Sequence, residues 1–180
     1  YEMNLDKQHP DGGQAMLRER TAYHLMRYVS RNAPLSVVPY SHQQYVRFFH
    51  YAQSGSGMVF EHVQHVDRNY LRYWFGDDDM GTLYKLDDWF ECSGNADPRM
   101  VDTARLIYRG ENRERYRWFF KLRTNELYDS YEPLIELTRF IQRTSTSSMA
   151  ERLPEILDVD EWLSILCVRF YIGDWDTIGY

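Results

Sequence analysis

The sequence has few cysteines, few lysines and no long apolar run. Its two cysteines, Cys92 and Cys167, lie far apart, so they form no metal-binding pattern and their spacing assigns no disulfide. No stretch of about 18 apolar residues occurs, so we expect no membrane-spanning helix. Tyr1 to Pro10 lacks the apolar core of a signal peptide. A nucleophile elbow, a Walker loop and a Cys-x-x-Cys pair are also absent, which removes support for those enzyme classes.

Aromatic residues and arginines are plentiful instead. Aromatics make up 16% and hydrophobic residues 43% of the 180 residues, which is typical of a packed domain rather than a disordered chain. The formal charge is −6, and acids and bases alternate almost everywhere except in the basic stretch Arg109–Arg123. Aromatic residues interrupt that stretch, which favours an amphipathic, half-buried element. We therefore expect no nucleic-acid partner.

Local patterns predict the elements of the first half of the chain. The signals are the helical spacing of apolar residues, a Gly/Ser loop between two β-branched and aromatic runs, and residues that cap helices. The predicted elements are a helix over Gln14–Arg31, a hairpin of Gln44–Ala52 and Met58–Val63, a helix from Asp67 to Gly76, a solvated turn at Asp77–Asp79 and a strand over Thr82–Leu86.

The second half is predicted to be helical. Helices are expected near Arg99–Ile107, Glu111–Arg123 and Tyr131–Arg143, with a last one from Asp158 to Gly173. The last helix is expected to bury Trp162, Leu163, Leu166 and Phe170. A small sheet early and helices late predict the α+β class.

Asp174 and Asp176 flank Trp175 in the loop after the last helix. A carboxylate there could bind a metal, accept a proton from a hydroxyl group or hold the loop by turn hydrogen bonds. Spacing alone favours the role in the turn.

Glu61 is an acid among the apolar residues of the predicted hairpin, where burial without a partner would cost several kcal/mol. Lys85, on the next predicted strand, could pair with it across a small sheet. Such a pair could orient nucleotide phosphates, as a kinase lysine–glutamate pair does, or form a structural salt bridge. His62 and His65 follow on a strand end and are interpreted as edge histidines rather than as a metal pair.

Several stretches together resemble the spore coat protein H (CotH) kinase family. They follow the family order of a strand ending in Glu, an amphipathic helix, an acidic turn, a strand ending in Lys and a final "DVxxWL … GNWD" segment. The matching stretches are Leu17–Arg20, Met58–Asp67, Tyr70–Asp78, Gly81–Lys85, Asp158–Leu163 and Gly173–Asp176, with Asp87–Glu91 and Arg115–Trp118 similar to a branch found in large secreted bacterial proteins.

The resemblance implies an atypical protein-kinase-like fold with a small β-containing lobe followed by a helical large lobe. It implies transfer of the ATP γ-phosphoryl group to Ser/Thr of surface or coat proteins, with Mg²⁺ or Mn²⁺. By position, Asp176 corresponds to the catalytic aspartate of the WD motif and a possible metal ligand, and Glu61 and Lys85 to cofactor-binding positions. Because family members also act in coat assembly and adhesion, a non-catalytic surface module is the alternative. An extracellular, cell-surface or spore-coat location follows from the resemblance alone.

The sequence departs from the family pattern at two places. Ala52-Gln53 stands where the family has Asn-Gly, and the metal-binding Asn and Asp-x-Asp strand expected after the WD motif do not occur before Tyr180. We therefore expect one incomplete domain over 1–180, with the small lobe at about 1–92 and the helical part of the large lobe at about 93–180. Such a chain should bind ATP and metal poorly by itself, with little turnover.

Overall fold

A computed structural model describes residues 4–6, 14–33, 36–49, 57–92, 98–102 and 104–174. The described residues confirm the α+β class. The elements are β1 (Asn4–Asp6), α1 (Gln14–Asn32), β2 (Gln43–Phe48), β3 (Met58–Val63), α2 (Arg68–Phe75), β4 (Tyr84–Leu86), β5 (Trp89–Cys92), β6 (Pro98–Asp102), α3 (Glu114–Arg117), β7 (Phe120–Leu122), α4 (Glu132–Arg143), α5 (Thr146–Arg152) and α6 (Val159–Tyr171), with 3-10 turns at Glu126–Tyr128 and Leu153–Glu155. Among these described helices, none has the length and apolar character needed to cross a membrane.

The chain divides into two compact units. The first combines the described residues of Tyr1–Trp74 with Asp160–Asp174, and the second comprises those of Phe75–Val159. The lobes at about 1–92 and 93–180 stay a prediction, because they were drawn from the family resemblance.

The first unit contains a three-stranded antiparallel sheet in the order β1-β3-β2. The hairpin prediction is confirmed, since β2 pairs with β3 from Gln43 opposite Val63 to Phe48 opposite Met58. Strand β1, three residues long, was too short to be recognised from a pattern; it pairs with the other edge of β3. The central strand β3 therefore has a neighbour on each side.

Helix α2 begins and ends at the residues that its capping signals predicted. The Asp67 carboxylate accepts hydrogen bonds from the backbone N–H groups of Asn69 at 2.8 Å and Tyr70 at 3.1 Å. Gly76 follows the helix with φ of +61°, a left-handed conformation that glycine adopts without steric cost. Both helix ends are thus specified by single local residues.

The second unit is built around an aromatic core. Strands β4 and β7 pair antiparallel, with Leu86 opposite Phe120. The Tyr131 hydroxyl donates to the Phe120 carbonyl at 2.9 Å, which satisfies a buried backbone acceptor beside the sheet. The core cluster consists of Tyr116, Phe119, Phe120, Tyr131, Leu134 and Ile135.

Two predicted helices in the second half are wrong. Over the predicted helix at Arg99–Ile107, residues Pro98–Asp102 form β6, which pairs with β5. In the predicted helix at Glu111–Arg123, only Glu114–Arg117 is helical, and the chain then continues as β7. Both errors have the same cause, because these segments become strands by pairing with partners that a local pattern does not contain. Helix α5 was also missed, since its Ser/Thr content resembles that of a loop.

The last helix lies where it was predicted, but its expected buried face is wrong. Leu163 is 59% exposed and Phe170 is 89% exposed, whereas Val168 is 4% exposed. Helical spacing indicates which side chains share a face, but the neighbouring elements decide which face is covered.

The exposed fractions of Phe120 and Phe170 predict very different losses of stability when each residue is replaced by alanine. Phe120→Ala removes a ring with 0% exposure from the core, so we expect a loss of about 3–5 kcal/mol in the free energy of unfolding. Phe170→Ala, at a ring 89% exposed, is the matched control and should change it by less than about 0.5 kcal/mol. Urea denaturation followed by circular dichroism measures both, and equal losses would contradict the assignment of the core.

Candidate functional site

Glu61 lies in the interior of the first sheet. It is 4% exposed, and the register places it between Asp6 of β1 and Tyr45 of β2. Its Oε1 atom is buried and has no hydrogen-bond partner among the described residues. Glu61 is thus a buried acid on a strand that is paired at both edges.

The surroundings of Glu61 favour its protonated form. Burial, together with the hydrogen bond and the charge of the neighbouring Glu19 carboxyl on α1, raises the pKa of Glu61 to about 7. Tyr45 and Gln43 act in the opposite direction as nearby donors. Gln43 is close enough to favour the charged form, but its buried Nε2 makes no hydrogen bond of normal geometry within the described residues. Near neutral pH, Glu61 is therefore an acid that exchanges its proton rather than a permanent anion.

Lys85 lies on β4 in the second unit. With Lys121 and Asp87 it forms a small charged group, the lysine cluster. Its cross-strand partner is Lys121 on β7. Lys121 donates from Nζ to Asp87 Oδ2 at 2.7 Å, and Lys85 Nζ lies 3.5 Å from Asp87 Oδ1. The hydrogen bond from Lys121, followed by the attraction of both lysines, lowers the pKa of Asp87. Two exposed cations thus share one carboxylate, and the cluster carries a net positive charge.

The structure does not place Glu61 and Lys85 in one sheet, as the sequence led us to expect. Strand β3 has β1 and β2 on its two edges, whereas β4 pairs with β7 in a separate two-stranded sheet. The ion pair of Lys85 is with Asp87, two residues along the chain. The roles of Glu61 and Lys85 toward a nucleotide stay a prediction.

Asp176 lies outside the described residues, so its catalytic and metal-binding roles also stay a prediction. The loop that leads to it is held by Asp174, whose Oδ2 lies 2.7 Å from Nε of Arg169. The Asp174 N–H donates to the Arg169 carbonyl at 2.9 Å, and Gly173 has a φ of +67°. Through these contacts Asp174 holds the turn after α6.

Hydrogen bonds hold the loop that leads into β4, whereas its acidic composition predicted a solvated turn. Within the run Asp77–Asp79, predicted to be a solvated turn, Asp79 is only 8% exposed. Thr124 donates from its hydroxyl to the Gly81 carbonyl at 2.9 Å, and Asn125 donates from Nδ2 to the same carbonyl at 3.3 Å. These contacts fix the start of β4 and thereby the position of the lysine cluster.

The predicted edge histidine His62 lies on β3, with Nδ1 3.4 Å from Nε2 of Gln44. Within the described residues, no group of three or more His, Cys, Asp or Glu side chains could hold a metal ion. Cys167 is a free, exposed cysteine.

Sequence reasoning missed Glu19 and Lys121 as members of these two sites. Neither belongs to a motif, because each is brought to its partner by the fold. The scarcity of lysine was the one signal that could have singled out Lys121, since it is one of only three lysines in the chain.

The fold and these two sites define an α+β protein with a buried acid on one sheet and an exposed lysine–aspartate cluster on another. The family model described as CotH kinase protein matches residues 1–180, the whole chain. The chain belongs to the CotH kinase family. No curated protein and no solved structure matches it.

The raised pKa of Glu61 predicts a pH dependence of stability. An acid that binds its proton more tightly in the folded state makes that state less stable as pH rises from the ordinary value of 4.5 to about 7. Glu61→Gln keeps the shape without ionising, so across this interval the free energy of unfolding of the wild type should fall by about 1–2 kcal/mol relative to the variant.

Urea denaturation at about pH 5 and about pH 8 measures this difference. Glu136→Gln, at an exposed position of α4, is the control and should leave the pH dependence as it is in the wild type. Parallel pH profiles for the wild type and Glu61→Gln would contradict the assignment.

Proposed function

We propose that this chain is an atypical protein kinase domain that transfers the γ-phosphoryl group of ATP to Ser/Thr hydroxyls of surface or coat proteins. The observation that carries the proposal is the match of the whole chain to the CotH kinase family. The family name also supports an association with the spore coat, and on that basis we propose a cell-surface, extracellular or spore-coat location.

The lysine cluster supports the ATP part of the proposal. Lys85 and Lys121 are 49% and 59% exposed and face each other across β4 and β7. Phosphate oxygens are strong ligands for lysine ammonium groups, and one aspartate does not neutralise two of them. In the proposed function these lysines hold phosphate oxygens, with Asp87 keeping both side chains in place.

The proposed reaction needs a carboxylate at the acceptor hydroxyl. The hydroxyl oxygen forms a bond to the γ-phosphorus, the bond from that phosphorus to the β–γ bridging oxygen breaks, and ADP leaves. Asp176 accepts the hydroxyl proton in this proposal, or contributes to holding the metal. Mg²⁺ or Mn²⁺, when bound, offsets the negative charge of the phosphates. Glu61 is proposed as an orienting acid of the small lobe, whose protonation follows the pH.

The lysine cluster predicts a selective loss of nucleotide binding. With ATP and Mg²⁺ at 100 times the dissociation constant, ligand linkage stabilises the folded protein by about 2.7 kcal/mol. Lys85→Ala should remove most of this stabilisation, because it removes a cation that contacts phosphate. Arg123→Ala, at an exposed cation directly after β7, is the matched control and should keep it.

Thermal denaturation with and without ATP, in Mg²⁺ and in Mn²⁺, measures these effects. An unshifted melting temperature for the wild type would reject the nucleotide site and favour the non-catalytic coat or adhesion module. A shift that is equal in the wild type and in Lys85→Ala would reject the role of Lys85.

A separate prediction concerns Asp176. In the native protein, Asp176→Ala should abolish transfer of labelled phosphate from ATP to a Ser-rich acceptor, since the proton acceptor or metal ligand is lost. Its circular dichroism spectrum and melting temperature should match those of the wild type. Label transfer at the wild-type rate would refute the proposed role.

A further inference from the structure

We propose that a cavity between α1 and the segment that leads into β2 binds a tetrahedral oxyanion of the phosphate class. The cavity has a volume of about 90 Å³ and is half open to solvent. The side chains used in the argument are Arg20, His24, Arg27, Ser41, His42 and Gln43. This site is distinct from the lysine cluster and does not depend on Lys85 or Asp176.

The first argument is the charge of the lining. Arg20, His24 and Arg27 follow one another at four and three residues along α1, so they lie on one face of the helix. Among the described residues that line the cavity, none is Asp or Glu. Within the described part of the chain, neither arginine forms an ion pair, and the Arg20 guanidinium lies over the Tyr45 ring at 4.8 Å from its centroid. Two arginines that line one cavity provide the charge and the planar donors that recognise phosphate.

The second argument is that neutral donors line the cavity beside the arginines. Ser41 contributes a hydroxyl group and Gln43 a side-chain amide, and both kinds of group donate hydrogen bonds to phosphate oxygens. The Gln43 amide also lies near the Glu61 carboxyl, so Ser41 is the neutral donor on which this argument rests.

The third argument is that the far wall of the cavity is rigid. The His42 ring makes edge-to-face contacts with Tyr40 and Tyr73, at centroid distances of 4.9 Å and 5.1 Å. Its backbone N–H donates to the Gln64 side chain at 3.1 Å, and the Gln64 N–H donates to the His42 carbonyl at 2.8 Å. A site whose walls are fixed in advance loses little entropy when a ligand binds.

The pKa of His42 reflects the positive charge at the cavity. Burial, and then the positive charge of Arg27, lower the pKa of His42. Glu61 lies near the lining residue Gln43, and its raised pKa reduces its repulsion of an anion near neutral pH. An anion held between Arg27 and His42 would offset the arginine and raise the pKa of His42.

The cavity volume of about 90 Å³ matches the size of a single phosphoryl group. The ligand is therefore free phosphate or the phosphoryl end of a phosphorylated side chain that reaches in through the open side. The chemistry at the arginines is the same for both sources, and they are separated by comparing inorganic phosphate with a phosphoserine peptide.

Calorimetric titration of the full chain with inorganic phosphate tests the proposal. We expect Arg27→Gln to weaken binding at least about tenfold, because it removes a charge-assisted contact. Arg31→Gln, one turn further along α1 and outside the cavity lining, is the matched control and should bind as the wild type does. Melting curves without phosphate verify that both variants are folded.

A second measurement remains informative if Arg27→Gln is unstable. In NMR titrations of the wild type, phosphate should raise the pKa of His42, whereas chloride at the same ionic strength should not. Equal effects of chloride and phosphate, or equal phosphate affinity of the wild type and a folded Arg27→Gln, would overturn the proposal.

The two sources of the phosphoryl group give different outcomes. Tighter binding of the phosphoserine peptide than of phosphate supports a phosphorylated protein as ligand, and equal binding supports free phosphate. If neither binds detectably, the site is rejected. Lys85→Ala should retain phosphate binding in this cavity, so a failure of the ATP proposal can be distinguished from a failure of this one.

Discussion

The burial of Glu61 on the central strand β3 is the constraint on which the chemistry of the first unit depends. The side chain is 4% exposed and has Glu19 of α1 as a neighbour, so its carboxyl is desolvated. A buried carboxylate without a cation is costly, and retention of the proton reduces that cost. The approach of Glu19 from α1 strengthens the effect. Burial and the neighbouring Glu19 carboxyl together raise the pKa of Glu61 to about 7.

The second unit handles its charges in a different way. Pairing of β4 with β7 brings Lys85 beside Lys121, and Asp87 partly compensates both through short contacts. These side chains remain hydrated, so ionisation is inexpensive and no proton has to move. In the proposed function, the lysines supply fixed cations for phosphate and Glu61 supplies an acid whose charge depends on pH. The arginine-lined cavity beside α1 is the third charged region, and it is the one for which we propose an oxyanion ligand.

The sequence predictions were correct where local contacts specify an element and wrong where pairing with a distant segment specifies it. Asp67 and Gly76 specify the ends of α2 through contacts within three residues, and these ends were predicted. The strand at Phe120–Leu122 was not, because its partner β4 lies more than thirty residues earlier and its own residues also suit a helix. The same limit applied to the site. Glu61 was recognised as anomalous from its apolar neighbours, but its partners Glu19 and Gln43 come from other elements.

The sequence alone determined the family, the α+β class, the first helix, the hairpin and the capped helix α2, because motif order, periodicity and capping are local properties of the chain. Only the tertiary structure decided that Glu61 faces Glu19 rather than Lys85, that Lys85 shares Asp87 with Lys121, and that Phe170 is exposed. The physical reason is that strand pairing and desolvation depend on which distant segments meet. The charge and burial of a side chain depend on these tertiary contacts and not on its neighbours in the sequence alone.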